Sequence, residues 1–363
     1  MPIPDDAAAM AASTVRRLFA RRSLRLPGTR LGAVAYPSPT SPRSHWHYWW
    51  QAHYLDCLLD EHLRNPDGDA LADARRLARG IWVRNGGRWR NAYYDDMAWL
   101  ALALQRLDGV EGRRRPRRRV RVLGLALESA QTPDLGGGVY WNTTRDYKNT
   151  PSTAPAALFF ARAGDTLRAQ ELLDWLRARL FDTETGLYLD GVKAGGQVER
   201  TIHTYNQGTV LGALVATGGK ENLARADALI RAVADHVAHD DGALPLSAEG
   251  DGGLFTGILG RYLALAAVTP GIDADAAVTA RTLLDATAGR LWADRTEVDV
   301  PGAIGTRVDR PGPAGTRAAR AGSDTTAFLF PPRQDGPVSL SSQLQAWTVL
   351  EAARACRHRL PRY

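Results

Sequence analysis

The chain has 363 residues, enough for two average domains or one large all-α domain. Hydrophobic residues make up 44% and charged residues 23%, a globular balance that argues against a disordered chain. Lys and Arg outnumber Asp and Glu by 46 to 39, and the resulting +7 favours acidic partners only weakly, so no nucleic-acid partner is expected.

The first segment, helical over 5–22, has no long apolar run behind a basic end and does not read as a signal peptide. No later stretch approaches the roughly 18 continuous apolar residues of a membrane span. As written the chain reads as cytoplasmic; a misassigned start codon would leave room for export. Periodicity near 3.6 then predicts helices near 45–63, 69–84, 96–107, 118–130, 152–163, 165–180, 205–217, 220–239, 253–268, 273–292 and 340–357. Cys57 and Cys356 are the only cysteines, and both fall in helical patterns, which points to buried thiols rather than a disulfide framework.

Two kinds of helix alternate. Leu71–Trp82, Thr166–Leu180, Glu221–Val237 and Ala274–Leu291 have one polar face and belong on the outside of a bundle. Met97–Leu104 and Gly208–Val215 are apolar on nearly all sides and belong inside. Buried helices begin near 45, 96, 152, 205, 253 and 340, mostly about 50 residues apart. Six inner and six outer helices predict a closed (α/α)6 toroid, a single domain over 1–363. An open superhelix is the competitor, although it needs capping repeats at each end that the sequence does not show. Loops into the inner helices (131–151, 181–204, 240–252) are long, and the returns, such as Ala163-Gly164-Asp165, are short. The working face is therefore expected at the inner-helix N-termini. Residues 294–338 are the longest irregular stretch, either a flap over the site or a mobile insertion.

Chemistry concentrates in Trp89-Arg-Asn-Ala-Tyr-Tyr-Asp-Asp-Met-Ala-Trp99, where Asp95 and Asp96 stand at the start of an inner helix. One Asp there is an ordinary N-cap. Two neighbours repel, which splits their proton affinities, and acid/base work at a glycosidic bond needs that split. Adjacent helical residues bring carboxyl carbons near 5 Å within reach, a retaining rather than an inverting separation. Aromatic and amide residues gather at the other rim positions: Trp49, Trp50 and Gln51; Trp141, Asn142 and Asn149; Tyr205, Asn206 and Gln207. Flat rings and amides suit the C–H faces and hydroxyl rims of a sugar.

Tyr93-Tyr-Asp-Asp-Met-Ala-Trp99, Gly137-Gly-Val-Tyr-Trp141, Tyr205-Asn-Gln-Gly208 and the run from Gly250 to Tyr262 resemble the motifs of glycoside hydrolase family 76, in order, from about 45 to 357. The resemblance implies an (α/α)6 endo-α-1,6-mannanase acting with retention on α-mannan or a mannose-containing glycan. Asp95 would be the nucleophile and Asp96 the acid/base. It adds Tyr94, Trp99, Asp251 and Phe255 to the candidate sugar contacts, and Asp190 as the acid that meets the mannose being cleaved. The family usually has Lys where this chain has Thr256, which points to a cation lost from the rim.

Other signals are weaker. Gly136-Gly-Gly138 lacks the Lys-Ser/Thr of a phosphate loop. The Asp pair lacks the third carboxylate of a terpene-synthase motif, since position 99 is Trp. His45 and His47 point to different sides of a helix, and His236 and His239 read as solvated, so no metal and no cofactor are expected. Arg113-Arg-Arg-Pro-Arg-Arg-Arg119 lies in an inner-to-outer turn on the far rim, as a solvated turn or a contact for an anionic glycolipid or polymer. The chain reads as a monomer. Two other functions stay open: a sugar epimerase or isomerase using a rim histidine (His45, His47 or His203), and a non-catalytic glycan-binding helical-repeat protein.

Overall fold

The computed structural model describes residues 3–38, 46–299, 326–330 and 336–358. Twelve α-helices carry the fold: α1 (Ala7–Leu18), α2 (Tyr48–Arg64), α3 (Ala70–Arg84), α4 (Tyr94–Val110), α5 (Arg118–Ala130), α6 (Thr150–Arg162), α7 (Thr166–Arg179), α8 (Thr204–Thr217), α9 (Lys220–His236), α10 (Gly252–Ala266), α11 (Ala274–Ala293) and α12 (Leu340–His358). The even-numbered helices are inner. Each packs on the next, and α12 returns to pack on α2, so the ring closes and the open superhelix is excluded. The odd-numbered helices form the outer wall. The sorting follows composition: α4, α6, α8 and α10 are buried over most of their length, whereas α3, α5, α7 and α9 bury one stripe rich in Ala and Leu and leave most of their charged residues outside, Asp73 of α3 being buried against Arg16, Arg30 and Arg76.

Two glycines let inner helices approach closely. A Cβ on Gly208 would lie 2.5 Å from the Leu259 Cα on α10, and one on Gly257 would lie 2.9 Å from the Gln345 Cα on α12. Both are backbone encounters that no side-chain movement relieves.

Ion pairs fill the ring three turns below the inner N-termini. Arg106 on α4 reaches Asp56 and Asp60 of α2 at 2.7 and 2.8 Å, and Arg261 on α10 reaches Asp60 at 2.7 Å. Arg64 of α2 pairs with Glu351 of α12 at 2.9 Å across the closing seam. Cys57 lies on that seam too, its Sγ 3.2 Å from Thr348 Oγ1; both cysteines are buried and neither is in a disulfide.

The long loops contain β-structure that the sequence reading passed over. Tyr147–Asn149, Leu189–Lys193 and Val198–Ile202 form a three-stranded antiparallel sheet on the rim. Strands of three to five residues are too short to show a period of two. Within 294–338, Thr296–Asp299 pairs antiparallel with Thr326–Leu329. The second of these arms packs on outer helix α1, where the Phe328 N–H donates to Thr14 Oγ1. Residues 300–325 and 331–335 of that stretch, and His45, lie outside the described residues. No described helix is long and apolar enough to cross a membrane.

Candidate active site

The inner-helix N-termini surround a pocket of about 260 Å³. Its floor is aromatic: Trp49 from α2, Trp99 from α4, Tyr205 from α8 and Phe255 from α10. Tyr205 and Phe255 stack at 4.0 Å and 9°, and Trp49 lies 6.4–6.5 Å from Trp99, Tyr205 and Phe255. Beneath them His53 is buried, and burial pulls its imidazole down to about 3, so the floor carries no charge of its own.

Three carboxylates stand around this floor. Asp251, the N-cap residue of α10, accepts from Trp49 Nε1–H and Trp50 Nε1–H at 3.0 and 2.8 Å. Asp190, from the rim sheet, accepts from Tyr147 Oη–H at 2.6 Å and Asn206 Nδ2–H at 3.1 Å, with His203 Nε2 at 3.9 Å. Asp95 is the third. The Tyr205 phenol lies among all three, and burial together with their negative charge raises its pKa well above the usual phenol range.

Asp95 and Asp96 occupy the first turn of α4. Neither caps the helix: the N-cap position is Tyr93, whose strand-like backbone pairs with Asn142. The carboxylates are thus on the second and third residues of α4, close to its positive dipole end. Asp95 Oδ1 accepts from the Asp96 backbone N–H at 2.8 Å and Oδ2 accepts from Trp141 Nε1–H at 3.0 Å. Asp96 Oδ2 accepts from Asn91 Nδ2–H at 2.5 Å. Burial pushes Asp95 up to about 7, with its two N–H donors opposing the rise. Burial and the Asp95 charge push Asp96 well above the usual carboxylate range, opposed by the one Asn91 donor. Two N–H donors on Asp95 against one on Asp96 support the ionised form better on Asp95. Asp95 lines the pocket; Asp96 stands beside it, half-buried, outside the lining.

The turn that precedes Trp141 is held by a buried cation, Lys148. Lys148 Nζ donates to the carbonyls of Thr132, Asp134 and Gly137 at 2.9, 2.6 and 2.8 Å, and to Thr132 Oγ1 at 2.9 Å. Burial lowers its ammonium to about 8. It fixes the turn that precedes Trp141, and its neighbour Asn149 caps α6 through the Ser152 N–H while lining the pocket.

Of the expected sugar contacts, Trp49, Trp99, Trp141, Asn149, Asp190, Tyr205, Asp251 and Phe255 line the pocket, joined by Tyr147 and His203, which the sequence reading did not place there as contacts. Six others do not line it. Gln51 is fully buried, donating to the Gly32 and Trp46 carbonyls, and Gln207 does the same with Tyr188 and His203. Asn206 is buried behind Asp190, and Trp50 is buried behind Asp251 with His47 stacked on it at 3.9 Å. Tyr94 is buried, and Asn142 turns its Oδ1 to Thr144. For Trp50, Gln51, Asn206 and Gln207 the reason is helical: successive side chains diverge by about 100°, so each run at a helix start presents one of its members to the pore. Thr256 is likewise buried, bonded to Thr204 and to the Pro245 carbonyl, so that position is interior rather than rim. Among the described residues no group of three or more His, Cys, Asp or Glu is placed to hold a metal ion.

The family described as Glycosyl hydrolase family 76 matches residues 4–353. No curated protein matches the chain. Among solved structures, the GH76A alpha-1,6-mannanase from Salegentibacter sp. HEL1_6 is similar at 25% identity and a TM-score of 0.80, over 97% of this chain and 99% of that one. An inactive variant of that enzyme, with two consecutive aspartates replaced by alanine, was solved with alpha-1,6-mannotetrose, and it matches at 25% identity over the same shares with a TM-score of 0.79. The GH76 alpha-mannanase from Bacteroides thetaiotaomicron shares the fold at 13% identity, over 98% of this chain and 96% of that one, with a TM-score of 0.68.

Proposed function

The chain belongs to glycosyl hydrolase family 76, and from that premise we propose that it cleaves α-1,6-linked mannan by a retaining double displacement. The observation that carries this reading is the unequal pair at the start of α4. Asp95 lines the pocket and accepts from two N–H donors, while Asp96, at its edge, accepts from one and is raised by burial and by the Asp95 charge beside it.

In the proposed reaction a mannose rests on the floor of Trp49, Trp99, Tyr205 and Phe255, with its hydroxyls toward Asp190, Asn149 and Asp251. Asp95 attacks the anomeric carbon as Asp96 protonates the departing oxygen, giving a glycosyl ester on Asp95. Asp96, now ionised, takes a proton from water, which attacks the same carbon and frees Asp95. The position of Asp96 beside the pocket suits an acid that must reach the bond leaving it. The helix end stabilises charge on Asp95 in the ground state and again when the ester breaks.

Incubation with linear α-1,6-mannan tests this, with products read by mass and the first anomer read by proton NMR. Shorter mannosides with the α-anomer appearing first are expected. A β-anomer first would make the reaction inverting, and no shortening with tight binding would make the protein a glycan-binding module.

His203 beside Asp190 favours a second reading, an epimerase or isomerase with an imidazole base. It requires product of unchanged chain length and an activity that His203→Ala abolishes.

A further inference from the structure

A second concave surface lies on the outer wall, and it shares no lining residue with the catalytic pocket. It is a groove of about 530 Å³ between α3, the turn after α4 and the loop ahead of α4. The far turn is roughly 25 Å from the acids, since α4 runs from one to the other at 1.5 Å per residue.

Five arginines line it: Arg75 and Arg79 from α3, and Arg113, Arg117 and Arg119 from the basic run. One carboxylate, Glu111, organises them. Its Oε1 accepts from Arg75 Nε–H at 2.8 Å, and its Oε2 accepts from Arg113 Nε–H at 3.3 Å and Arg117 Nη2–H at 2.6 Å. Asp108 takes Arg119 at 2.7 Å from below. Five guanidinia against these two carboxylates leave a surplus of three positive charges. Donors are also left over. Arg75 and Arg113 spend only Nε on Glu111, Arg79 bonds to no described residue, and Arg119 Nε is buried with no partner among the described residues.

A solvated turn does not need guanidinia gathered on one buried carboxylate. A ligand with several acceptor oxygens and more than one negative charge does, and a phosphate group supplies three oxygens and nearly two charges where a carboxylate supplies one charge. The groove also has indole surface. Trp82 is 40% exposed, and Trp89 lines the end nearest the loop into α4. A flat ring beside an anion clamp fits the C–H face of a sugar carrying that phosphate.

We propose that this groove binds the phosphate-bearing residue of a phosphorylated saccharide, apart from the catalytic pocket. The occupant is held by Arg75, Arg79 and Arg113 through their uncommitted donors, with its ring against Trp82. Binding does not depend on Asp95.

Mannose 6-phosphate, inorganic phosphate and mannose are the probes, followed by tryptophan fluorescence and calorimetry on the full chain. Saturable binding of mannose 6-phosphate is expected. It should weaken steeply with added salt, exceed that of inorganic phosphate several-fold, and be absent for mannose. Arg79→Ala with Arg113→Ala should weaken it at least tenfold, with mannan turnover and melting temperature unchanged; Asp95→Asn should leave it intact. Equal affinity for inorganic phosphate would overturn the saccharide assignment, and binding that the double arginine variant retains would overturn the groove itself. Uptake by vesicles containing phosphatidylglycerol, with no binding of the sugar phosphate, would replace the proposal by a membrane surface.

Discussion

The inner helices carry two close pairs of aspartates, and the protein treats them in opposite ways. Asp56 and Asp60, one turn apart on α2, face the guanidinia of Arg106 and Arg261 deep in the ring. Asp95 and Asp96, neighbours on α4, face no cation among the described residues; their partners are the N–H groups of Asp96, Trp141 and Asn91. Pairing with Arg fixes a carboxylate's charge and ties helices together. Burying two neighbouring acids without a cation raises both, Asp95 to about 7, where a proton can be given and taken near neutral pH. The same residue type thus serves as a tie in one place and, in the proposed reaction, as a reagent in the other, and the partners it is buried with set the difference.

The comparison breaks most visibly at the reagent pair. Asp95→Asn is expected to lower kcat on α-1,6-mannan by about 10⁴-fold or more, as loss of a nucleophile does, without lowering the unfolding midpoint. Turnover near that of the unmodified protein would remove Asp95 from the role.

At the tie the expected damage is to stability. Asp60→Ala leaves Arg106 and Arg261 short of their shared carboxylate in the interior and should cost about 3–5 kcal/mol in denaturant unfolding. A loss below about 1 kcal/mol would mean that water or Asp56 takes over, and the contrast between the pairs would fail.

Much of this was readable in the chain, for unequal reasons. All twelve helices appear within a few residues of their expected bounds, because apolar all-round and one-faced patterns differ plainly over three or four turns. Closure of the ring was a count of helices, and the contact of α12 with α2 supplies the physical fact. Asp95 and Asp96 stood out because like charges seldom sit together at an apolar helix start. The sequence could not say which of Trp49, Trp50 and Gln51 faces the pore, since that depends on helix rotation. Nor could it show that Lys148 turns inward, since a rim Lys is ordinarily solvated.

The raised acids also make a stability prediction of opposite sign to the tie. A carboxyl whose folded pKa exceeds its unfolded value favours the fold at low pH, and that contribution is lost as pH rises through the folded value. For Asp95 the loss falls between about 4 and about 7, and Asp96, raised as well, adds a loss of the same sign. Replacing both by Asn should therefore stabilise the protein at pH 8 by about 1–3 kcal/mol and do little at pH 4. Equal effects at both pH values would show that packing, rather than charge, is responsible.

The finest test separates the two acids from each other. Trp141 donates to Asp95 alone, and its ring also meets Tyr147 edge-on at 6.3 Å. Trp141→Phe keeps an aromatic ring there and deletes the donor. The ionised form of Asp95 then loses support, so its pKa must rise, by about half a unit to one unit for a single hydrogen bond to a charged group. Because the nucleophile must be ionised, the acidic limb of kcat/KM, expected near the Asp95 value of about 7, should move to higher pH. Asn91→Ala acts on the other partner. It removes the donor to Asp96, raises that pKa, and should carry the basic limb upward while leaving the acidic limb nearly in place. A profile in which each substitution moves its own limb assigns the roles within the pair. Movement of the acidic limb by Asn91→Ala and of the basic limb by Trp141→Phe would exchange them, making Asp96 the group that attacks.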